Sequence, residues 1–243
     1  TPAVPGAPGS YYQSFSTYGQ TFVRVVPTSG REARAQVQEM QALGVTKLYI
    51  ADDGSPYGAA IAYALRHDAS GKITVVGSQD GADGIFYGSN VPASATQFFN
   101  RASAANPSVK LFGPSALSDP SFAAGLSATV RHLYISSPGF LPQDLPAAGS
   151  EFVTKFKATY GHAPVPEAVF GYEAMSALLA VLREAGAQAN NRSTVVHDFL
   201  SLGNRQSVLG TYSMTSSGDI NIAPFVISRL QRGQLVPFAQ VQG

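Results

Sequence analysis

Cysteine is missing from this 243-residue sequence, and charge is scarce. Without cysteine there is no thiol nucleophile, no disulfide staple, no thiolate zinc site and no iron–sulfur cluster. Charged residues make up 13% of the chain, against roughly 25% in an average soluble protein, so the solubilising surface falls to Ser, Thr, Asn, Gln and backbone. Lys+Arg 16 against Asp+Glu 15 leaves a net charge of +1. That balance excludes the clustered positive charge with which a nucleic-acid binder meets phosphates. No apolar run approaches the roughly 20 residues that span a bilayer. The opening Thr1-Pro2-Ala3-Val4-Pro5-Gly6 has neither the basic region nor the apolar stretch of a signal peptide, and reads as a processed terminus or as a start within a longer protein.

The motifs of common catalysts are missing too. His67, His132, His162 and His197 lie far apart and form no metal-ligand spacing. There is no phosphate-cradling G-x-x-x-x-G-K-[ST], no dinucleotide G-x-G-x-x-G and no nucleophile elbow G-x-S-x-G; Gly113-Pro114-Ser115-Ala116 lacks the elbow's second glycine. Asp52-Asp53 is no catalytic pair, because adjacent residues leaving a strand point in different directions; helix capping and loop solvation explain them. Asn191-Arg192-Ser193 matches a glycosylation sequon, and its place before a helix makes it a cap. The chain therefore reads as a non-enzyme without cofactor or metal.

What is present is 44% hydrophobic residues, enough for one large domain or two modest ones, in an alternating order. Residues 1–20, rich in Pro, Gly, Ser and Tyr, read as an extended connector. Thr21–Val26 is a β-branched run stopped by Pro27, hence a strand or crossing segment. A helix over Arg31–Leu43 places Ala33, Val37, Met40 and Leu43 on one face. Strands are expected at Leu48–Ala51, Ile73–Val76, Gly84–Gly88, Val109–Phe112 and Leu133–Ile135. Helices separate most of them: one opened by Pro56 and running to about Arg66, one over about Ser94–Ala105, and a short one near Ser121–Leu126. This rhythm predicts α/β architecture with a parallel sheet. After Ser136-Ser137-Pro138-Gly139-Phe140 the rhythm changes to three helices, about 147–160, 166–185 and 192–202. A strand at Gly210–Met214 and a hairpin, Phe225–Leu230 with Leu235–Phe238, follow. Three consecutive helices need a sheet to pack on, and this half of the chain does not contain one.

Ligands of open α/β sheets bind at the carboxyl ends of the strands, where helix N-termini offer unpaired N–H groups. Three such loops stand out: Asp52–Gly58 with Ser55 and Tyr57, Tyr87-Gly88-Ser89-Asn90, and Gly113-Pro114-Ser115-Ala116. Tyr57, Tyr87, Ser115, Ser55, Ser89 and Gly113 are the candidate ligand-binding residues. Two tyrosines and several hydroxyls suit a small ligand held by ring contacts and a few hydrogen bonds; the alternative is that both rings only pack the sheet edge.

The same loops carry a family likeness. Phe22-Val23-Arg24-Val25-Val26-Pro27, a helix, Gly44-Val45-Thr46-Lys47-Leu48-Tyr49-Ile50, then Asp53-x-x-x-Tyr57-Gly58 resembles the start of the second lobe in branched-chain amino-acid-type binding proteins of the type I periplasmic fold. Phe86-Tyr87-Gly88 and Gly113-Pro114 resemble two later ligand-facing turns. Phe156-Lys157-x-x-Tyr160-Gly161-x-x-Pro164 with Phe170-Gly171-Tyr172-Glu173-Ala174, and Gly210-Thr211-Tyr212-Ser213 with Gly218-Asp219-Ile220-Asn221, are similar to its later helices and its ending. The likeness runs from about Phe22 to Phe238. It implies a two-lobed fold with parallel sheets and hinge crossings: residues 1–26 and 137–219 as the remainder of the first lobe, 27–136 and 220–243 as the second. It also implies an extracytoplasmic solute-binding protein that hands a small molecule (an amino acid, or a small carboxylate or aromatic metabolite) to the membrane subunits of an ABC importer. The alternative is a ligand-sensing receptor domain of the same fold, which an attached membrane helix or signalling domain would reveal. A hydrolase is the third class, which ester turnover abolished by Ser115→Ala would revive. Two departures from the family pattern stand out. Ser115 occupies the place where amino-acid-binding members carry a carboxylate for the ligand's ammonium, which points to an uncharged or carboxylate-bearing ligand unless Asp119 or the other lobe supplies the charge. The family's opening β/α units are expected to be missing from these residues, and Gly77–Asp83 is too short for the helix usually found there.

Overall fold

The structure, a computed structural model, describes residues 21–243; the connector expected over residues 1–20 lies outside the described residues. The chain partitions into two units, one of residues up to Thr28 with Gly139–Ala223, the other of Ser29–Pro138 with Pro224–Gly243.

The second of these is built on a seven-stranded sheet. It contains α1 (Ser29–Ala42), β1 (Lys47–Asp52), α2 (Pro56–Ala69), β2 (Thr74–Val76), β3 (Gly84–Gly88), α3 (Pro92–Ala105), β4 (Lys110–Gly113), α4 (Pro120–Ala124) and β5 (Leu133–Pro138). The closing hairpin β8 (Pro224–Gln231) and β9 (Gln234–Gln242) completes the sheet in the order β2-β1-β3-β4-β5-β8-β9. The first five of these are parallel to one another, and β8 and β9 run antiparallel to their neighbours. The period-two alternation of strands sorts side chains to two cores. Leu48, Ile50, Phe86 and Phe112 join Ala33, Val37, Met40, Ile61 and Leu65 beneath α1 and α2. Ile85, Tyr87, Leu111, Leu133 and Ile135 join Ala95, Phe99, Leu117 and Phe122 beneath α3 and α4.

Parallel strands normally need a crossover of a dozen or more residues, usually with a helix. Between β2 and β3 the chain makes do with residues 77–83, because β2 is only three residues long and the return path is short. Asp83 secures that path at the start of β1. Its carboxylate accepts from the backbone N–H groups of Thr46 and Lys47 at 2.9–3.1 Å and from the Thr46 hydroxyl at 2.5 Å. The sheet ends in two guarded edges: β2 is short, and β9 carries Pro237 beside a bulge at Ile227/Ser228.

The other unit holds α5 (Ala147–Tyr160), α6 (Ala168–Ala185), α7 (Arg192–Leu200) and a two-stranded antiparallel sheet, β6 (Arg205–Ser207) with β7 (Gly210–Tyr212). The expected strand at Thr21–Val26 is reduced to one bridge, Arg24 to Asp219, reinforced by Arg24 Nη2 at 2.7 Å from Asp219 Oδ1. Strand β6 was not foreseen, since Arg205-Gln206-Ser207 has no apolar alternation. Val25, Val169, Phe170, Leu209, Tyr212 and Ile220 form the core here. On α6 a second stripe of Tyr172, Met175 and Leu179 is exposed. With Phe152, Phe156 and Tyr160 of α5, Tyr172 lines a groove of about 540 Å³. Among the described residues no helix is long and apolar enough to cross a membrane.

A buried ion pair ties α6 to the small sheet. Glu173, 1% exposed, accepts from Arg205 Nε at 2.6 Å and from the Tyr212 hydroxyl at 2.8 Å. Arg205 Nη2 donates to Ser176 Oγ at 2.9 Å. Burial pushes the Tyr212 phenol up, and the Glu173 carboxylate adds to it. Glu173→Ala leaves the guanidinium largely buried and unpaired, and is expected to destabilise the chain by about 3–5 kcal/mol. Glu173→Gln, which keeps an acceptor for Tyr212, is expected to lose less. Denaturant titration of the three proteins checks the order; equal midpoints would show that the pair holds nothing in place.

Candidate functional site

The strand order turns back between β1 and β3. The helix after β1 packs against one face of the sheet and the helix after β3 against the other. Where neighbouring strands send their chains to opposite faces, a crevice opens at their carboxyl ends. The loops at this point meet backbone to backbone at two glycines. A Cβ on Gly58 would stand 2.4 Å from the Gly88 carbonyl oxygen, and one on Gly88 would stand 2.5 Å from the Gly58 carbonyl oxygen, so both positions require glycine.

Asp53 latches the two loops. Its Oδ1 accepts from the Ser55 N–H at 2.9 Å and the Ser55 hydroxyl at 2.5 Å, and its Oδ2 from the Ser89 hydroxyl at 2.7 Å. Its backbone N–H donates to the Gly88 carbonyl at 3.1 Å. Ser55 caps α2 by accepting from the Gly58 N–H at 3.0 Å, with Pro56 in the first turn. Desolvation pushes the Asp53 carboxyl up, but the Ser55 and Ser89 hydroxyls and the Ser55 N–H outweigh it, and the group sits below its ordinary range.

A second polar cluster lies under the β4 loop. Glu32, one of the first residues of α1, is 4% exposed. Its Oε1 accepts from the Ser115 N–H at 2.5 Å and from the Ser136 hydroxyl at 2.6 Å, and its Oε2 from the Ser115 hydroxyl at 3.0 Å. Gln36, one turn further along α1, donates to the Gly113 carbonyl at 2.7 Å and to Ser136 Oγ at 2.8 Å. Its Oε1 is buried and has no partner among the described residues. Burial pushes the Glu32 carboxyl above its usual range while the Ser136 and Ser115 donors pull it back. No Lys or Arg among the described residues pairs with it. Tyr57, half-buried, stands beside the cluster, near enough for the Glu32 carboxyl to act on its phenol. Burial and then the Glu32 charge push its phenol well above its ordinary value.

The candidate residues thus fall into three places. Tyr57, Ser115 and Gly113 gather around Glu32 and Gln36. Ser55 and Ser89 join on Asp53, and Ser89 is fully buried. Tyr87 stands apart: its ring stacks on Phe98 at 4.0 Å in the core beneath α3, with its hydroxyl 2.9 Å from Ser94 Oγ. Asp119 is spent on capping α4, accepting from the Ser121 N–H at 2.6 Å. Sequence reasoning missed Glu32, Gln36 and Ser136. Their only linear signal is a polar pair four apart on a helix, which reads equally well as a solvated face.

The family model described as periplasmic binding protein matches residues 77–234. Among solved structures, the leucine binding protein of Thermotoga maritima is 18% identical, with a TM-score of 0.74 over 93% of this chain and 69% of that one. An ABC transporter substrate-binding protein of Desulfitobacterium hafniense, in complex with Leu, is 22% identical, with a TM-score of 0.75 over 91% and 69%. A solute binding protein of an ABC transporter from R. palustris, in complex with benzoate, is 18% identical, with a TM-score of 0.63 over 89% and 64%. A comparison with curated proteins finds no match. The fold is that of the type I periplasmic binding proteins.

Two tests follow from the loop geometry. Gly88→Ala forces a Cβ against a backbone carbonyl, and is expected to cost about 1–3 kcal/mol, read as a lowered thermal midpoint; an unchanged midpoint would show that the loops are free to part. Because the folded-state pKa of Asp53 lies below its ordinary 3.8, its contribution is complete above that value and lost as pH falls through the lower one. The stability gap between the chain and Asp53→Asn is therefore expected at neutral pH and should close in acid below 3.8. A gap that persists unchanged through that window would exclude an ionised latch.

Proposed function

The chain belongs to the periplasmic binding protein family, and from that premise we propose that it is an extracytoplasmic receptor that captures a small molecule for an ABC importer. It acts by binding and release, with no chemical conversion. The observation that carries this reading is the convergence at the switch point. Tyr57 and Ser115 stand half-buried at the ends of parallel strands, and the bonds of Ser115 to Glu32 fix the serine's rotamer before any ligand arrives. A pre-organised rim of this kind spares the ligand the cost of ordering side chains. We assign residues 27–136 and 220–243 to the lobe that presents this rim, and residues 1–26 and 137–219 to the other.

The structural relatives divide by ligand. Two are described in complex with Leu or isoleucine, and two with benzoate or 3,4-dihydroxy benzoic acid. A compact amino acid or a small aromatic or aliphatic acid is the class proposed for this chain. A thermal-shift panel of leucine, isoleucine, benzoate and 3,4-dihydroxybenzoate, followed by titration of any hit, tests it. A ligand at ~100 times its dissociation constant adds about 2.7 kcal/mol to the folded state. Tyr57→Phe and Ser115→Ala are each expected to weaken the hit about tenfold, the loss of one hydrogen bond of about 1.4 kcal/mol. A panel extended to other small polar metabolites that moves no midpoint would sink the receptor reading; a hit untouched by both substitutions would move the site elsewhere.

A further inference from the structure

We propose that the chain carries a second binding site, at the other end of the large sheet from Tyr57 and Ser115, for a small amphiphilic anion. The apolar body of the ligand lies on a hydrophobic floor, and its carboxylate or phosphate is held by Arg131 and Arg232. The inference stands on its own observations and not on the receptor reading.

The antiparallel pairing of β5 with β8, Tyr134 opposite Arg229, brings the end of β8 to the start of β5. Beside α4 these two ends border a groove of about 640 Å³, within the roughly 300–1,000 Å³ of small-molecule sites. Its floor is apolar: Ala123 and Val130 are buried, and Leu126 and Leu230 are half-buried against the core beneath α3 and α4. Its polar lining is Arg131, Arg232, Ser127 and Gln231, with no carboxylate. Neither guanidinium has an ion pair or a hydrogen bond among the described residues. A lone exposed arginine needs only water. Two that share an acid-free groove over an apolar floor match an anion with a hydrophobic tail, because each end of such a ligand meets a surface of its own kind.

The β8–β9 turn adds an independent observation. Gln231 and Gln234 pair with each other, so Arg232 and Gly233 make a two-residue turn, at φ +52° and +78°. Such turns favour Asn-Gly or Asp-Gly, because both positions need a positive φ. An arginine there strains its backbone, and among the described residues only Asn204 shares a positive φ without being glycine. No side-chain bond within the fold offsets that strain, and a charge kept at a cost to its own turn points to a use outside it.

Calorimetric titration of octanoate and octyl phosphate, beside octanol, octylamine and inorganic phosphate, tests the site. The two amphiphilic anions are expected to bind at least tenfold tighter than any of the three controls, and to weaken as salt is raised. Arg131→Gln and Arg232→Asn are each expected to weaken octanoate about fivefold, as for the loss of one partly exposed charge pair. Arg232→Asn also separates ligand contact from a fold effect. Asparagine suits the turn, so the thermal midpoint is expected to hold or rise while the affinity falls. An octanoate affinity that either substitution leaves unchanged overturns the two-arginine site, as does octanol bound as tightly as octanoate. Inorganic phosphate bound as tightly as octyl phosphate overturns the role of the floor and with it the amphiphile, and no binding of either anion overturns the site outright. Should Arg232→Asn melt lower than the unaltered chain, Arg131→Gln alone decides. Each of these outcomes leaves the receptor reading to the ligand panel at the Tyr57 and Ser115 rim.

Discussion

Two backbones touch at the carboxyl ends of β1 and β3, and most of what surrounds the candidate site follows from that contact. With no Cβ on Gly58 or Gly88, α2 starts hard against the β3 loop. Asp53 can then reach both Ser55 and Ser89, and the cap on α2 is set. Tyr57 sits one residue before the contact, so its direction is inherited from the packing. A larger residue at either glycine would part the loops and loosen the latch together with the tyrosine. The rim is therefore one mechanical piece held from below by two carboxylates of different character. Asp53 is a half-buried latch kept ionised by its donors, and Glu32 a buried carboxyl whose ionised form burial disfavours.

Much of this architecture is legible along the chain because parallel α/β units write their pattern locally. The run Gly84-Ile85-Phe86-Tyr87-Gly88 is bounded by glycines and fully buried, as a central strand should be. Pro56 and Ser55 mark the start of α2, and Gly161, at φ +77°, marks the end of α5. The site is only half legible. The loops announce themselves by position, but the partner of Ser115 comes from α1, 83 residues away in number, and no linear pattern joins that Glu32 to Ser136 of β5. Tyr87 shows the opposite difficulty. Its place at the end of a strand does not say which face its ring will take; alternation turns it toward α3, where Phe98 receives it. Arg24 and β6 belong to short pairings fixed by tertiary contacts such as Arg24 with Asp219 and Arg205 with Glu173, which local propensity does not encode.

The helical unit obeys a different logic. A helix that is apolar all round is one that has something to pack against on more than one side. On α6 the side bearing Val169, Phe170, Ala177 and Val181 is buried, whereas Tyr172, Met175 and Leu179 are open. The polar core of this unit, Glu173 with Arg205 and Tyr212, is also its most specific contact, because a buried charge tolerates only the partner that neutralises it. In both units, then, one glutamate lies near the middle of a polar cluster, while apolar packing supplies the bulk of the cohesion.

The two ends of the large sheet bear on how the protein behaves among its own copies. An exposed strand with a free row of N–H and C=O groups is a template for a neighbouring chain. Here β2 offers three residues, too few to seed a ladder, and β9 interrupts its row with an imino acid beside an irregular pairing. Crowding such molecules together should therefore not zip them edge to edge, so concentrated solutions should resist cross-β fibril growth from this sheet without relying on net charge, of which the chain has almost none.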